Sequence, residues 1–404
     1  MKVKHAVRIA LNIPFYHERV TRAMHRAQSH DERMYIYKIE TEDGVIGYGE
    51  NQGAAGTSIM ESLVGQNLLA LINNDSIGFG PQVAALDAAG KTAGVPIHAI
   101  LGTKLRDRCP ISWWDIDMPP ADWAAEAKES LKRGHTSFKM KARPWRDVIE
   151  QVEEVEKVVP TDYKFDLDFN GFLLTQAKAE IILQQLDDHE NVGIYESPFW
   201  LSSDITGAKL LRERVRKPIV EHFNEACLHA HACDGFVVEG GISWATKTAA
   251  TLATFNKPFW LQWTGTNLTA FFGLHLQAVM THCRWPAIHC HHMYIDQIVQ
   301  EPFVVENGMA SIPAGPGIGV TLDWDVVEQY RTQPQARPYP HPGVLLRVDW
   351  PSGTKSYFAH TEQMWAYFRA SCAPAFVPGV HLVRVDDDGG LYKDFITLKK
   401  SYVC

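Results

Sequence analysis

The sequence lacks four things, and each absence excludes a class of protein. It has no CxxC pair: its seven cysteines are odd in number and scattered, so reduced thiols in a cytoplasmic protein are expected rather than a disulfide framework. It has no basic stripe, and a formal charge of −8 spread along the chain argues against nucleic acid as a partner. It has no apolar run long enough to span a bilayer, and the Met1 end, Lys-Val-Lys-His-Ala-Val-Arg, lacks the apolar segment of a signal peptide, so no membrane partner is expected. No glycine-rich phosphate loop follows any expected strand, which argues against an open, doubly wound nucleotide-binding sheet. What remains, 46% hydrophobic and 21% charged residues, is the composition of a soluble globular enzyme with room for one large core and a smaller domain.

The first hundred residues predict an α+β unit. Val3–Pro14, Met34–Glu40 and Val45–Glu50 read as strands, the last two joined by a Glu42-Asp-Gly turn, and 58–73 and 80–94 read as helices. From Pro110 the pattern alternates strand and helix. Strands are expected at 111–116, 137–141, around Asp168, Glu196 and Glu221, at 236–239, at 259–262 and at Ala287–His291. Eight strands with helical crossovers predict an α/β fold, a (β/α)8 barrel of the TIM type. The expected division is an α+β capping domain over 1–109, a catalytic barrel over 110–325 and a C-terminal extension over 326–404. That extension includes a proline-rich linker, Pro334–Pro342, and hairpins at 343–358 and 380–395; it either returns to the capping domain or forms an interface.

Three carboxylates close short apolar runs at near-even spacing: Asp168, Glu196 and Glu221, separated by 28 and 25 residues. One strand plus one helix occupies about that length. Acids at the ends of consecutive parallel strands converge on one point, as the site of a hard divalent cation requires. Side chains alternate along a strand, so Lys139 and Lys141 share one face, and Asp166, Asp168 and Asn170 share another. A cation and a second ammonium near a lysine lower its pKa toward that of a working base. Taken singly, Lys-x-Lys, Asp-x-Asn and Glu-x-Pro are ordinary solvated, capping or strand-end residues; their order across four strands is what carries the chemistry. The run His289-Cys-His-His292, with His282 and Cys283 upstream, raises zinc as an alternative. Adjacent residues on a strand point to opposite faces, so packed histidines are the simpler reading, with His291 lining the substrate pocket.

These motifs resemble the enolase superfamily, in its branch of mandelate racemase and muconate lactonizing enzyme. The likeness covers roughly 1–325 and rests on Glu42-Asp-Gly-Val-Ile-Gly-Tyr-Gly-Glu50, Ala85-Leu-Asp-Ala-Ala-Gly-Lys91, Leu101-Gly-Thr-Lys-Leu-Arg106, Lys139-Met-Lys141, Asp168-Phe-Asn170, Glu196-Ser-Pro198, Glu239-Gly-Gly-Ile242 and Gly315-Pro-Gly-Ile-Gly319. The resemblance implies Mg²⁺ held by Asp168, Glu196 and Glu221, with Glu225 competing for the third place. It also implies Lys141 as the base that removes the proton α to a substrate carboxylate, and Lys139 beside it. Loops near 14–30 and 51–57 of the capping domain would set specificity, and a homo-oligomer is expected. Asn170, Asp234, Gln262 and Trp263 are candidate substrate contacts.

The chain departs from that branch at the face opposite Lys141. Gln262 stands where mandelate racemase-like members carry a histidine, Asp234 falls one residue early for its partner, and 235–239 has no lysine. One base without a counterpart favours β-elimination: dehydration of a sugar acid or related hydroxy acid through an enediolate. The acid for the leaving hydroxide is sought among His222, His291, His292 and Tyr294. The alternatives are an epimerase, racemase or cycloisomerase on the same scaffold, or an impaired homologue that only binds a carboxylate.

Overall fold

The computed structural model describes residues 1–27, 32–53, 55–333, 343–370 and 374–386. The expected linker at 334–342 and the second half of the hairpin expected over 380–395 lie outside the described residues. In the N-terminal part, strands Val3–Asn12, Arg33–Thr41 and Ile46–Asn51 pair antiparallel in sequence order. A helix that the sequence pattern does not announce, Glu18–Ala27, fills the connection between the first two. Helix Phe79–Ala93 covers the sheet, buried along its first twelve residues.

The barrel sheet runs through Trp113–Asp115, Ser137–Lys141, Lys164–Asp168, Val192–Glu196, Ile219–His222, Gly235–Val238 and Phe259–Leu261, hydrogen-bonded in that order and parallel. Aromatic and β-branched residues dominate these strands because both faces are covered, one by the barrel interior and one by helices. The eighth position is filled by two residues only. Ile288 bridges Gln262 and Ala287 bridges Ile111, both parallel, which closes the ring. The longer strand expected over Ala287–His291 stops there because Cys290 takes a left-handed backbone with φ of 59°, and His291–Met293 turns into a 3₁₀ segment.

Two carboxylates of the N-terminal part cap helices of the barrel. Glu50 is buried and accepts from Thr266 N (3.0 Å), Thr269 N (3.2 Å) and Thr269 Oγ1 (2.9 Å), at the start of helix Asn267–Val279. Asp75 accepts from Ser243 N and Trp244 N, both at 2.9 Å, at the start of helix Ile242–Thr254. Carboxylates at helix N-termini satisfy orphan N–H groups and oppose the helix dipole. The two units are therefore joined through backbone groups that would otherwise lack partners.

The chain after the barrel forms a three-stranded antiparallel sheet, with Val344–Asp349 between Lys355–Phe358 and His381–Asp386, and a helix, Thr361–Arg369. This module docks on the loops that come after the second and third barrel strands. Gly379 N donates to Asp147 Oδ2 (2.8 Å), Phe376 N to Pro144 O (3.0 Å) and Arg146 Nη1 to Leu382 O (3.2 Å). Trp145 packs on Phe368 with ring centroids 5.6 Å apart, and Phe169 on Phe376 at 5.4 Å.

Among the described residues, no helix is long and apolar enough to cross a membrane. Five cysteines, Cys109, Cys227, Cys233, Cys283 and Cys290, are free and buried.

Candidate active site

Strand register builds the site. Lys141 pairs with Asp168 and Asp168 with Glu196 across three neighbouring strands, so their side chains project from one face at one level. Lys141 Nζ donates to Asp168 Oδ2. Lys139 Nζ, fully buried one layer down, lies 2.5 Å from Glu196 Oε2, 3.4 Å from Asp168 Oδ2 and 2.6 Å from Gln262 Oε1, with the Trp260 ring centroid at 5.4 Å. Asn170 N donates to Asp168 Oδ1 at 2.9 Å, and Arg143 Nη2 donates to Asn170 Oδ1 at 2.7 Å.

The third expected carboxylate is not among them. Glu196 pairs with Val220 and His222 with Val237, so Val220 and His222 share the inward face and Glu221 projects outward. There it accepts from Ser197 Oγ (2.7 Å), Leu201 N (3.4 Å) and His222 N (2.9 Å). Its competitor Glu225 is exposed at the start of helix Glu225–His229. The inward residue is His222, with Nε2 3.3 Å from Glu196 Oε1 and Nδ1 3.2 Å from Glu239 Oε1.

Electrostatics divide these groups by role. Burial lowers the Lys141 pKa and the neighbouring Lys139 ammonium lowers it further, against the opposing pull of Asp168. Burial acts the same way on Lys139, but Glu196 and Asp168 outweigh it and hold that ammonium charged. Burial would raise Asp168, yet Lys141, Lys139 and Arg143 hold it well below the usual carboxylate range. Burial also opposes charge on His222, but its two carboxylate partners push it up to about 10, so the ring is an imidazolium at neutral pH. Asp166, buried beneath Lys139, is pushed up to about 7 by burial.

Of the other sequence candidates, Gln262 joins the cluster through Lys139. Trp263 does not: it points the other way, stacks on Phe79 at 4.9 Å and donates to Gly240 O. Asp234 precedes the sixth strand, at the far end of the barrel, where it accepts from Arg212 Nε (2.7 Å) and Ile219 N (2.9 Å). His291 is not brought to the lysines either; its ring packs 4.3 Å from Phe303 in the outer layer. His292 stacks on Trp113 at 3.7 Å and its Nε2 lies 2.8 Å from Trp114 O, while His289 lies parallel to Trp263. Tyr294 stacks on Phe15. The histidines diverge, and no zinc set forms among the described residues. Asp166, which strand alternation puts on the face of Asp168, joins the cluster, as does Trp260 of the pocket wall; Glu239 and Arg143 belong to it although sequence reasoning gave them no catalytic or binding role. The signal for Glu239 was strand parity, and for Arg143 the Lys-x-Lys-x-Arg spacing.

Comparison with known proteins agrees with this architecture. The family described as enolase C-terminal domain-like matches residues 122–326, just over half of the chain. The chain belongs to the enolase superfamily. Among its relatives in the branch of mandelate racemase and muconate lactonizing enzyme is muconate cycloisomerase 1-2 of Acinetobacter lwoffii, 26% identical over 277 residues, covering 62% of this chain and 68% of that protein. Another is D-gluconate dehydratase of Thermoproteus tenax, 22% identical over 371 residues, covering 78% of this chain and 73% of the relative. An enolase from Thermobispora bispora, solved with magnesium and formate, superposes with a TM-score of 0.69 at 19% identity, over 82% of this chain and 92% of its own, and shares the fold.

Enolase-superfamily members use Mg²⁺. Among the described residues, no group of three or more His, Cys, Asp and Glu side chains is arranged to hold a metal ion. Mg²⁺ is nevertheless commonly bound by one or two carboxylates, with waters and substrate oxygens completing its shell. Asp168 and Glu196 are two such carboxylates. Both Glu196 oxygens are buried at ion-pair distance from Lys139 and His222, yet neither receives an aligned hydrogen bond. Buried acceptors in that state fit a cation.

Proposed function

We propose that this enolase-superfamily chain is a Mg²⁺-dependent lyase that dehydrates a sugar acid or related hydroxy acid. The observation that carries the reading is the arc Lys141, Asp168, Glu196, His222 on four consecutive strands. It sets a lysine of lowered pKa and a charged imidazolium three strands apart across one mouth. Lys141 Nζ takes the proton α to the substrate carboxylate. His222 gives its proton to the hydroxyl on the neighbouring carbon, the C–O bond breaks, and water leaves; the enol product then tautomerises to a 2-keto-3-deoxy acid. Asp168 and Glu196 would hold Mg²⁺, which supplies stabilisation of the charge developing on the substrate carboxylate. Lys139 and Gln262 keep the buried floor of the site fixed, and Glu239 holds the His222 ring by Nδ1. Dehydratases among the relatives, such as D-gluconate dehydratase, support the substrate class.

Incubation with a panel of acid sugars in deuterated water tests this reading. A 2-keto-3-deoxy acid is expected from at least one member. Isotope exchange at the α carbon without keto acid would instead assign the site to an isomerase, and neither signal with any acid would reject both. For the metal, Mg²⁺ is expected to raise the thermal midpoint of the wild type in a dose-dependent way. Glu196→Ala is expected to abolish that rise, as read by calorimetry without any substrate.

A further inference from the structure

The C-terminal module brings an arginine to the mouth of the barrel. The Arg369 guanidinium carbon lies 5.1 Å from the ring centroid of Phe172, 5.1 Å from Trp365 and 5.6 Å from Trp200. Its Nη2 reaches Asn170 O at 3.5 Å. Among the described residues no carboxylate stands at ion-pair distance from it, and Arg369 is exposed. Arg143 shares two of the rings, 5.6 Å from Phe172 and 5.8 Å from Trp365, and donates to the side chain of the same Asn170. Two guanidiniums thus converge on one asparagine whose own N–H bonds Asp168. Arg143 has the Asp168 carboxylate as a counter-charge, whereas the partners of Arg369 are ring faces and a carbonyl oxygen. Backbone geometry secures the arrangement: Gly171 has a φ of 78°, and a Cβ there would sit 2.8 Å from the Trp200 ring that walls the arginine.

We propose that Arg369 binds a second anionic group of the substrate, distal to the carboxylate next to the reacting carbon. Stacked on aromatic rings, with Nη2 at 3.5 Å from one carbonyl oxygen, Arg369 keeps the rest of its planar fork for a carboxylate or a phosphate, which such a fork matches in bidentate fashion. Arg369 itself comes from a segment outside the barrel and the capping unit, so it sets specificity without altering the base or the acid. The proposal rests on the acid-sugar reading for the identity of the ligand, and the experiment separates the two.

Dissociation constants for gluconate, glucarate and 6-phosphogluconate, measured by titration calorimetry on the full chain with Mg²⁺, are compared between the wild type, Arg369→Gln and Arg369→Lys. The wild type is expected to prefer a dianionic ligand over gluconate by about tenfold or more, the worth of a charge-assisted bond. Arg369→Gln is expected to reduce that ratio at least tenfold, and Arg369→Lys to restore part of it. Preference for glucarate identifies a distal carboxylate, and preference for 6-phosphogluconate a phosphate. No preference in the wild type, or a preference unchanged in Arg369→Gln, overturns the proposal. A preference that depends on Arg369 in a protein that turns over no acid sugar would uphold this site and sink the dehydratase reading. Turnover without any such preference would do the reverse.

Discussion

Lys141→Ala is expected to lower kcat for both dehydration and α-proton exchange by about 10⁴-fold, the upper end of what a positioned base contributes. The size comes from the surroundings. The Lys141 ammonium is the partly exposed end of a chain of charges, its side chain 12% accessible while Lys139 behind it is sealed. Burial and Lys139 lower its pKa, which favours the neutral amine that can accept a proton. No other group of lowered basicity among the described residues reaches that face: Lys139 is held charged between Glu196 and Asp168, and Arg143 does not release a proton. Lys141→Arg is therefore expected not to rescue. In the wild type, kcat/KM should fall on the acid side as Lys141 takes up its proton, and that limb should be missing from the residual activity of Lys141→Ala. Stopped-flow and exchange measurements over a pH series check both.

Glu50→Ala is expected to destabilise the protein by about 3 kcal/mol or more, the largest effect on stability of any single substitution outside the site. The side chain is buried and accepts from three donors at the start of helix Asn267–Val279. Removing it strands those donors away from water and deletes the charge that opposes the helix dipole. Burial raises the Glu50 pKa, while the bonds from Thr266 and Thr269 pull it down. With its folded-state pKa raised, Glu50 takes up a proton in the folded protein before the unfolded chain does, so its contribution to stability grows as pH falls through that raised pKa and is smallest above it. Glu50→Gln should cost less than Glu50→Ala, since the amide oxygen still accepts. Thermal unfolding compares the variants. Limited proteolysis tests the position of the damage: cleavage is expected near the joint with the N-terminal unit before the barrel strands are attacked.

How much of this was legible in the sequence depended on how far each signal is local. Period-two alternation put Lys139 with Lys141 and Asp166 with Asp168, and the sheet keeps those faces because these strands are five residues long and flanked by well-paired neighbours. The same rule was silent on Glu221. Strand Ile219–His222 has four residues, and which of two adjacent side chains faces inward is set by the pairing of Val220 with Glu196, which no local pattern encodes. The histidine run failed for a related reason. A five-residue strand would have carried it, whereas pairing ends at Ile288 and a left-handed Cys290 redirects the backbone beyond it. Arg369 was invisible because its partners, Phe172, Trp200 and Asn170, lie nearly two hundred residues upstream, in loops whose shape a barrel pattern does not describe.

The docking of the C-terminal module on the second and third barrel loops also fixes an order of assembly. The proposed base, acid and metal-holding carboxylates are all encoded before residue 223, and the ring closes with Ile288. The bonds that seat the module use Phe376, Gly379 and Leu382. A chain emerging from the ribosome therefore completes its reactive centre some ninety residues before its mouth is finished. During that interval the segment that carries Arg369 has yet to dock, so the selectivity proposed for that arginine arrives after the proposed reactive centre.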